Sequence, residues 1–130
     1  MRYKKPDTKN AISIIESAKK TMDYTLTLEV NEMSSITITR NIYECFRMLG
    51  DAILVKKGLS SDDHLLPLKE ISQLKIDSQR PIALVENLRR LRHNVNYYGY
   101  SPSIAEAGDA VSLAKECFYN AYEKIKQELQ

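Results

Sequence analysis

Apolar residues recur along this chain at spacings of three and four, the period of helices that bury one stripe. The first run is Ala11, Ile15, Ala18, Met22 and Leu26, within NAISIIESAKKTMDYTLTLE. Pro6, Asp7 and Thr8 precede it as a start signal. Thr25, Thr27 and Val30 lower helix propensity at its far end, so the pattern leaves that boundary open. The second run, SSITITRNIYECFRMLGDAILVKKG, carries Ile38, Ile42, Cys45, Leu49, Ala52 and Ile53. Ser34 or Ser35 is its expected cap. Lys56 and Lys57 suit the negative end of the helix dipole, and Gly58 supplies a left-handed stop. ITIT has strand propensity, but it is short and has no partner strand nearby.

A shorter helix is expected over about Leu66 to Leu74, with Ser60 or Ser61 as cap and Pro67 in the first turn. Asp62, Asp63 and His64 stand at its mouth. Three consecutive residues cannot all point at one ion, so they read as capping groups rather than metal ligands. Pro81 opens a fourth helix with the stripe Leu84, Leu88, Leu91, Val95 and Tyr98, which Gly99 stops. The last helix starts at Pro102, or at Ser103 with Glu106 completing a capping box. Its stripe is Ala107, Ala110, Val111, Ala114, Cys117, Phe118, Ala121 and Ile125. Short loops make neighbours antiparallel. The pattern therefore predicts an all-α, up-and-down four-helix bundle with an additional short helix, residues 1–130 forming one domain. Gly50 and the alanines of the last helix allow close helix approach.

Charge and cysteine content narrow the function classes. The net charge is +2, from 19 basic and 17 acidic residues, so charge alone does not bind a polyanion. Any anion site must be a local concentration of cations. Cys45 and Cys117 lie far apart in apolar stripes and form no C-x-x-C pair. They read as buried thiols rather than zinc ligands or a redox couple. MRYKKPDTKN is basic, but no apolar run of signal-peptide or membrane-span length follows it. A cytoplasmic protein is expected, with no cofactor and no metal.

The local concentration of cations is in the fourth helix. LRRLRHNVNYYGY packs three arginines, a histidine, two asparagines and three tyrosines into thirteen positions. At ~100° per residue, Arg92, Asn96, Arg89 and His93 occupy one polar arc opposite the core stripe, with Tyr97 and Arg90 beyond it. Arginine binds phosphate oxygens in pairs and stacks on bases. Tyrosine offers a stacking face to an unpaired base. Asparagine reads base edges or sugar hydroxyls. Arg89, Arg92, His93, Asn96 and Tyr97 are the candidate nucleic-acid-binding residues. The same residue types also fit a solvated helix face or a protein contact.

The chain resembles the HEPN superfamily of small helical domains. The resemblance runs through the long first helix, the block TRNIYECFRMLGDAILVKKGLSSDDH and the short third helix, and is sharpest at LRRLRHNVNYYG. It implies a helical bundle that dimerises, with the signature helices of two subunits forming a shared cleft. It also implies RNA or nucleotide as ligand, and a place beside a nucleotidyltransferase-like protein in a toxin–antitoxin-like system. Many members are metal-independent ribonucleases whose signature is an arginine, four to six residues, then a histidine.

That histidine is absent here. Counting from Arg92, the positions hold Tyr97, Tyr98 and Gly99; from Arg90, Val95, Asn96 and Tyr97; from Arg89, Asn94, Val95 and Asn96. His64 is preceded at the matching offsets by Leu59, Gly58 and Lys57. In this resemblance Arg92 carries the family arginine and His93 the polar follower, while Asn96 or Tyr97 stands in the histidine's place. Asparagine cannot cycle a proton, and an ordinary tyrosine ionises only near ~10. The expectation is a non-catalytic RNA- or nucleotide-binding homodimer. The alternatives are a ribonuclease using Arg92 and His93 in a shifted geometry, and a purely structural interaction module.

Overall fold

In the computed structural model, which describes residues 2–60, 63 and 65–130, the Asp7 carboxylate accepts from the Asn10 N–H at 3.0 Å and caps helix α1 (Thr8–Thr25). Ala11, Ile15, Ala18 and Met22 are fully buried on it, as their spacing predicts. The open boundary closes at Thr25. Its hydroxyl donates back to the Thr21 carbonyl at 2.7 Å and accepts from Asn41 Nδ2 at 3.1 Å, tying the end of α1 to the next helix.

Helix α2 (Ser35–Lys57) includes the ITIT segment and starts differently from expectation. Ser34 is the N-cap residue, but its hydroxyl caps nothing in the helix; it donates to the Glu29 carbonyl at 2.5 Å. The Ser35 hydroxyl donates to the Glu32 carbonyl. The Asn31 Oδ1 accepts from the N–H groups of Met33 and Ser34, both at 3.0 Å, and closes the turn just before the helix. α2 lies at the centre of the fold and packs against α1 and against every later helix. Gly58 ends it at φ 76°.

Two strands that no pattern signalled sit beyond this point. β1 (Arg2–Tyr3) and β2 (Leu59–Ser60) pair antiparallel, Arg2 opposite Ser60 and Tyr3 opposite Leu59. The Lys4 N–H donates to the Gly58 carbonyl at 2.6 Å. Ser60 therefore belongs to a strand and is not a helix cap; the Ser61, Asp62 and His64 readings lie outside the described residues. Asp63 caps α3 (Leu65–Ser72), its Oδ1 accepting from the Leu65 N–H at 3.0 Å. α3 begins one residue earlier than expected and ends two sooner. Pro67 lies in its first turn, and its backbone carbonyl occupies the space that a Cβ on Gly50 would need. The glycine is what lets α2 and α3 meet.

Pro81 does not open the fourth helix directly. It precedes a 3₁₀ turn, Ile82–Leu84, which runs into α4 (Val85–Tyr98). The tighter turn takes Leu84 out of the α-helical phase, while Leu88 and Val95 stay buried as expected. Val85 is buried where Leu84 was expected, Leu91 is half-buried, and Tyr98 is 76% exposed rather than in the core. Beyond Val95 no residue through Ser101 is buried, because the last turn of α4 outruns its neighbours. Gly99 stops it at φ 64°.

The last rod comprises α5 (Ile104–Leu113), a π-helical stretch Ala114–Phe118, and α6 (Tyr119–Leu129). Ser103 and Glu106 form the expected capping box, each reciprocal bond 3.0 Å, and Pro102 lies before the cap rather than in the helix. α5 packs on α2, whereas α6 packs on α1. Near the π stretch the Cys117 thiol donates to the Arg80 carbonyl at 3.2 Å, and Asn120 Nδ2 donates to the Asp77 carbonyl at 2.8 Å. These bonds hold the segment that leads into α4.

The core is one contiguous cluster drawn from all six helices, with Phe46 and Phe118 in edge contact at 5.6 Å. Both thiols are buried, as expected, and burial pushes Cys45 up to about 12 and raises Cys117. No helix among the described residues is long and apolar enough to cross a membrane.

Two stability predictions arise here. Thr39 is fully buried on α2, and its hydroxyl has no hydrogen-bond partner among the described residues. Thr39→Val should therefore stabilise by about 1 kcal/mol, read as a rise in denaturation midpoint. Gly108 sits inside α5, and a Cβ added there would meet nothing within 4 Å. Gly108→Ala should stabilise by about 1 kcal/mol through helix propensity alone, and an unchanged melting temperature would refute this.

Candidate functional site

The crossing of α4 over α2 brings the polar arc of α4 against Tyr43. The result is an open depression of about 390 Å³ lined by Tyr43, Asp63, Leu65, Arg89, Arg92, His93 and Tyr97. Four of the five candidate residues converge there: Arg89, Arg92, His93 and Tyr97. Asn96 does not. Its Oδ1 accepts from Arg40 Nε at 3.2 Å and Nη2 at 3.0 Å, so it serves as a clamp between α4 and α2.

The two arginines differ electrostatically. Arg89 is held by Glu86, Nε donating at 2.7 Å and Nη2 lying 2.6 Å from the same oxygen. That bond raises the Arg89 pKa and neutralises its charge toward solvent. Arg92 makes no ion pair among the described residues. Its guanidinium carbon stands 5.6 Å from the centre of the Tyr43 ring, a cation–π distance. Tyr43 is 1% exposed, and burial pushes its hydroxyl up to about 12, with Arg92 and Arg47 opposing the rise. The floor of the depression is thus a neutral aromatic face that orients a cation.

Behind Tyr43, Arg47 is paired with both Glu44 and Asp51 on α2. It is consumed there and adds no free charge to the depression. At the rim the His93 ring lies 4.6 Å from the Tyr97 ring, tilted by 37°, and 5.9 Å from the Tyr98 ring in edge contact. Tyr97 remains 69% exposed and presents a stacking face to solvent. Leu65 is 57% exposed on the opposite side. The arrangement offers a cation, a neutral aromatic floor, an exposed aromatic rim and the carboxylate of Asp63.

Tyr43, Asp63 and Leu65 were not among the sequence candidates. Tyr43 had a signal, a tyrosine next to Ile42 in the α2 stripe, but burial of an aromatic there reads first as core. Asp63 and Leu65 reach the depression because the chain reverses after α2, which no local pattern encodes. The chain matches no protein-family model, no curated protein and no solved structure. Its function must therefore be argued from these residues and their geometry.

Proposed function

We propose that this protein is a HEPN-like domain that binds RNA or a nucleotide without cleaving it, as a homodimer and as the partner of a nucleotidyltransferase-like protein. A toxin–antitoxin-like system is the setting this resemblance suggests. One observation carries the binding reading: Arg92, which makes no ion pair among the described residues, lines a depression whose rim exposes Tyr97. A phosphate would take the guanidinium and a base would take the ring. The non-cleaving reading is supported by the missing spaced histidine and by the engagement of His93 with two tyrosine rings.

The test is retention and cleavage of labelled single-stranded RNA in the presence of chelator. Wild type should retain RNA intact. Arg92→Ala should weaken binding about 10- to 100-fold, the worth of a charge-assisted bond. Arg89→Ala should cost less, since its charge is already met by Glu86. A second reading is favoured by one fact, that Arg92 and His93 line the same depression. Chelator-resistant cleavage that His93→Ala abolishes would replace binding with ribonuclease activity. No retention at all would leave this face as a protein contact.

A further inference from the structure

We propose that the depression is one end of a longer track, and that its ligand is a single-stranded RNA segment whose phosphates run from Arg92 across the β1–β2 pair to Lys4 and Lys5. This inference rests on the nucleic-acid reading of the depression and extends it from a single phosphate to a chain.

The placement comes from connectivity. Asp63 lines the depression, and Ser60 precedes it by three residues, a span of at most ~11 Å. Arg2 is the partner of Ser60 across the strand pair, ~5 Å away. The antiparallel register sets the order of the N-terminal side chains. Moving away from the depression, the strand presents Arg2, then Tyr3 opposite Leu59, then Lys4 bonded through its N–H to Gly58. The strand pair thus holds the start of the basic N-terminal segment within ~16 Å of Asp63, which lines the arginine site.

The chemistry of that segment matches a phosphate chain. Residues 2–10 are all exposed. Within this segment Lys4, Lys5 and Lys9 accompany a single carboxylate, Asp7, which is occupied in capping α1. Lys4 and Lys5 form no ion pair among the described residues, unlike Lys57, which meets Glu70 at 2.9 Å. In a protein of net charge +2 this is a second local concentration of cations. Tyr3, 83% exposed, stands on the opposite face of the strand from Arg2 and Lys4 and offers a ring at the same edge. Exposed cations with rings close by are what a sequence-tolerant single-strand surface requires. A mononucleotide is too short to engage both ends.

The experiment measures affinity of the full chain for a dinucleotide and for an oligonucleotide of about ten nucleotides, within the range of single-strand site sizes, over a salt series. The longer RNA should bind more tightly and with a steeper salt dependence. Lys4→Gln with Lys5→Gln should lower the slope of log affinity against log salt by about 1.4, from ~0.7 per lost phosphate contact. The same change should leave dinucleotide binding as it was. Both side chains are exposed and the Lys4 backbone bond is kept, so helicity should be unchanged by circular dichroism. Equal binding of both RNAs, untouched by the lysine changes, would overturn the track and leave the depression intact. Failure of wild type to bind either RNA would overturn both readings. Polyglutamate competing as well as RNA, with the same lysine dependence, would overturn the nucleic-acid assignment in favour of an acidic protein segment.

Discussion

Gly50→Ala should destabilise the protein by about 3 kcal/mol, lowering the melting temperature by roughly 10 °C. The added methyl would overlap the Pro67 carbonyl oxygen and stand 2.6 Å from its carbon. These are backbone atoms at the start of α3, so no side-chain rotation relieves the clash and α3 must move away from α2. Leu68 and Ile71 are buried by that contact and would be partly uncovered. Alanine's helix propensity returns only about 1 kcal/mol. The same substitution at Gly108 meets open space, so the two variants should shift stability in opposite directions. Displacing α3 also displaces Leu65 and the Asp63 cap, so Gly50→Ala should weaken the proposed RNA binding without touching an arginine. Thermal denaturation of both variants side by side checks this, and a Gly50→Ala protein as stable as wild type would contradict the packing described for α2 and α3.

Raising the pH should unfold the protein cooperatively above ~10. Three tyrosines hold their protons in the folded state: Tyr43, Tyr119 and Tyr122. Burial raises all three, Tyr43 to about 12. Tyr119 is raised further by its hydrogen bond to Asp23 at 2.6 Å, and Tyr122 by its bond to Glu16. Unfolded tyrosine ionises near ~10. Between that value and the folded ones the native state binds more protons than the unfolded state, so stability falls as pH rises. The contribution is fully present below ~10 and is lost through the folded values. Tyr43 alone accounts for roughly 3 kcal/mol of the loss. Two of these groups join α1 to the last rod, so their ionisation also breaks a helix seam. Tyrosinate absorbance and far-ultraviolet circular dichroism should change together. Ionisation of all eight tyrosines with helicity intact would refute the linkage. Tyr122→Phe should shift the transition to higher pH.

The sequence was most legible where a signal is local. Asp7, Gly58, Gly99 and the Ser103–Glu106 box act within a turn of themselves, and each marks a helix end in the structure. The stripes of α1 and of the last rod are buried as their spacing implies, except for Leu26, which lies past the end of α1, and Val111, both half-buried. Legibility failed where a distant partner decides. Ser34 is a good cap by type, but its hydroxyl donates to the Glu29 carbonyl, five residues earlier, and Asn31 closes the turn that precedes the helix. Asn96 belongs to the polar arc of α4, yet Arg40, fifty-six residues away in sequence, takes it. The 3₁₀ turn after Pro81 takes Leu84 out of phase with α4, and Tyr98 is exposed because it lies in the last turn, past the residues that bury Leu88 and Val95. Of the candidate site, the chemical residues were legible from their density on α4. The floor was not, because Tyr43 and Asp63 reach it through tertiary packing.

The π-helical stretch Ala114–Phe118 sets how this chain tolerates changes in length. Such a stretch is one residue more than an α-helix needs for the same turn. Deleting a single residue within it would let the wide turn close to α geometry with α6 still in its present phase, because that turn has already absorbed the extra residue. Ala121, Tyr122, Ile125 and Leu129, all buried now, would keep their seats against the rest of the core. A residue deleted anywhere else along α5 or α6 has no such slack, and everything beyond it would rotate by ~100° about the rod. The rod, which packs on α2 along its first half and on α1 along its second, therefore carries one spare residue, and carries it at that turn.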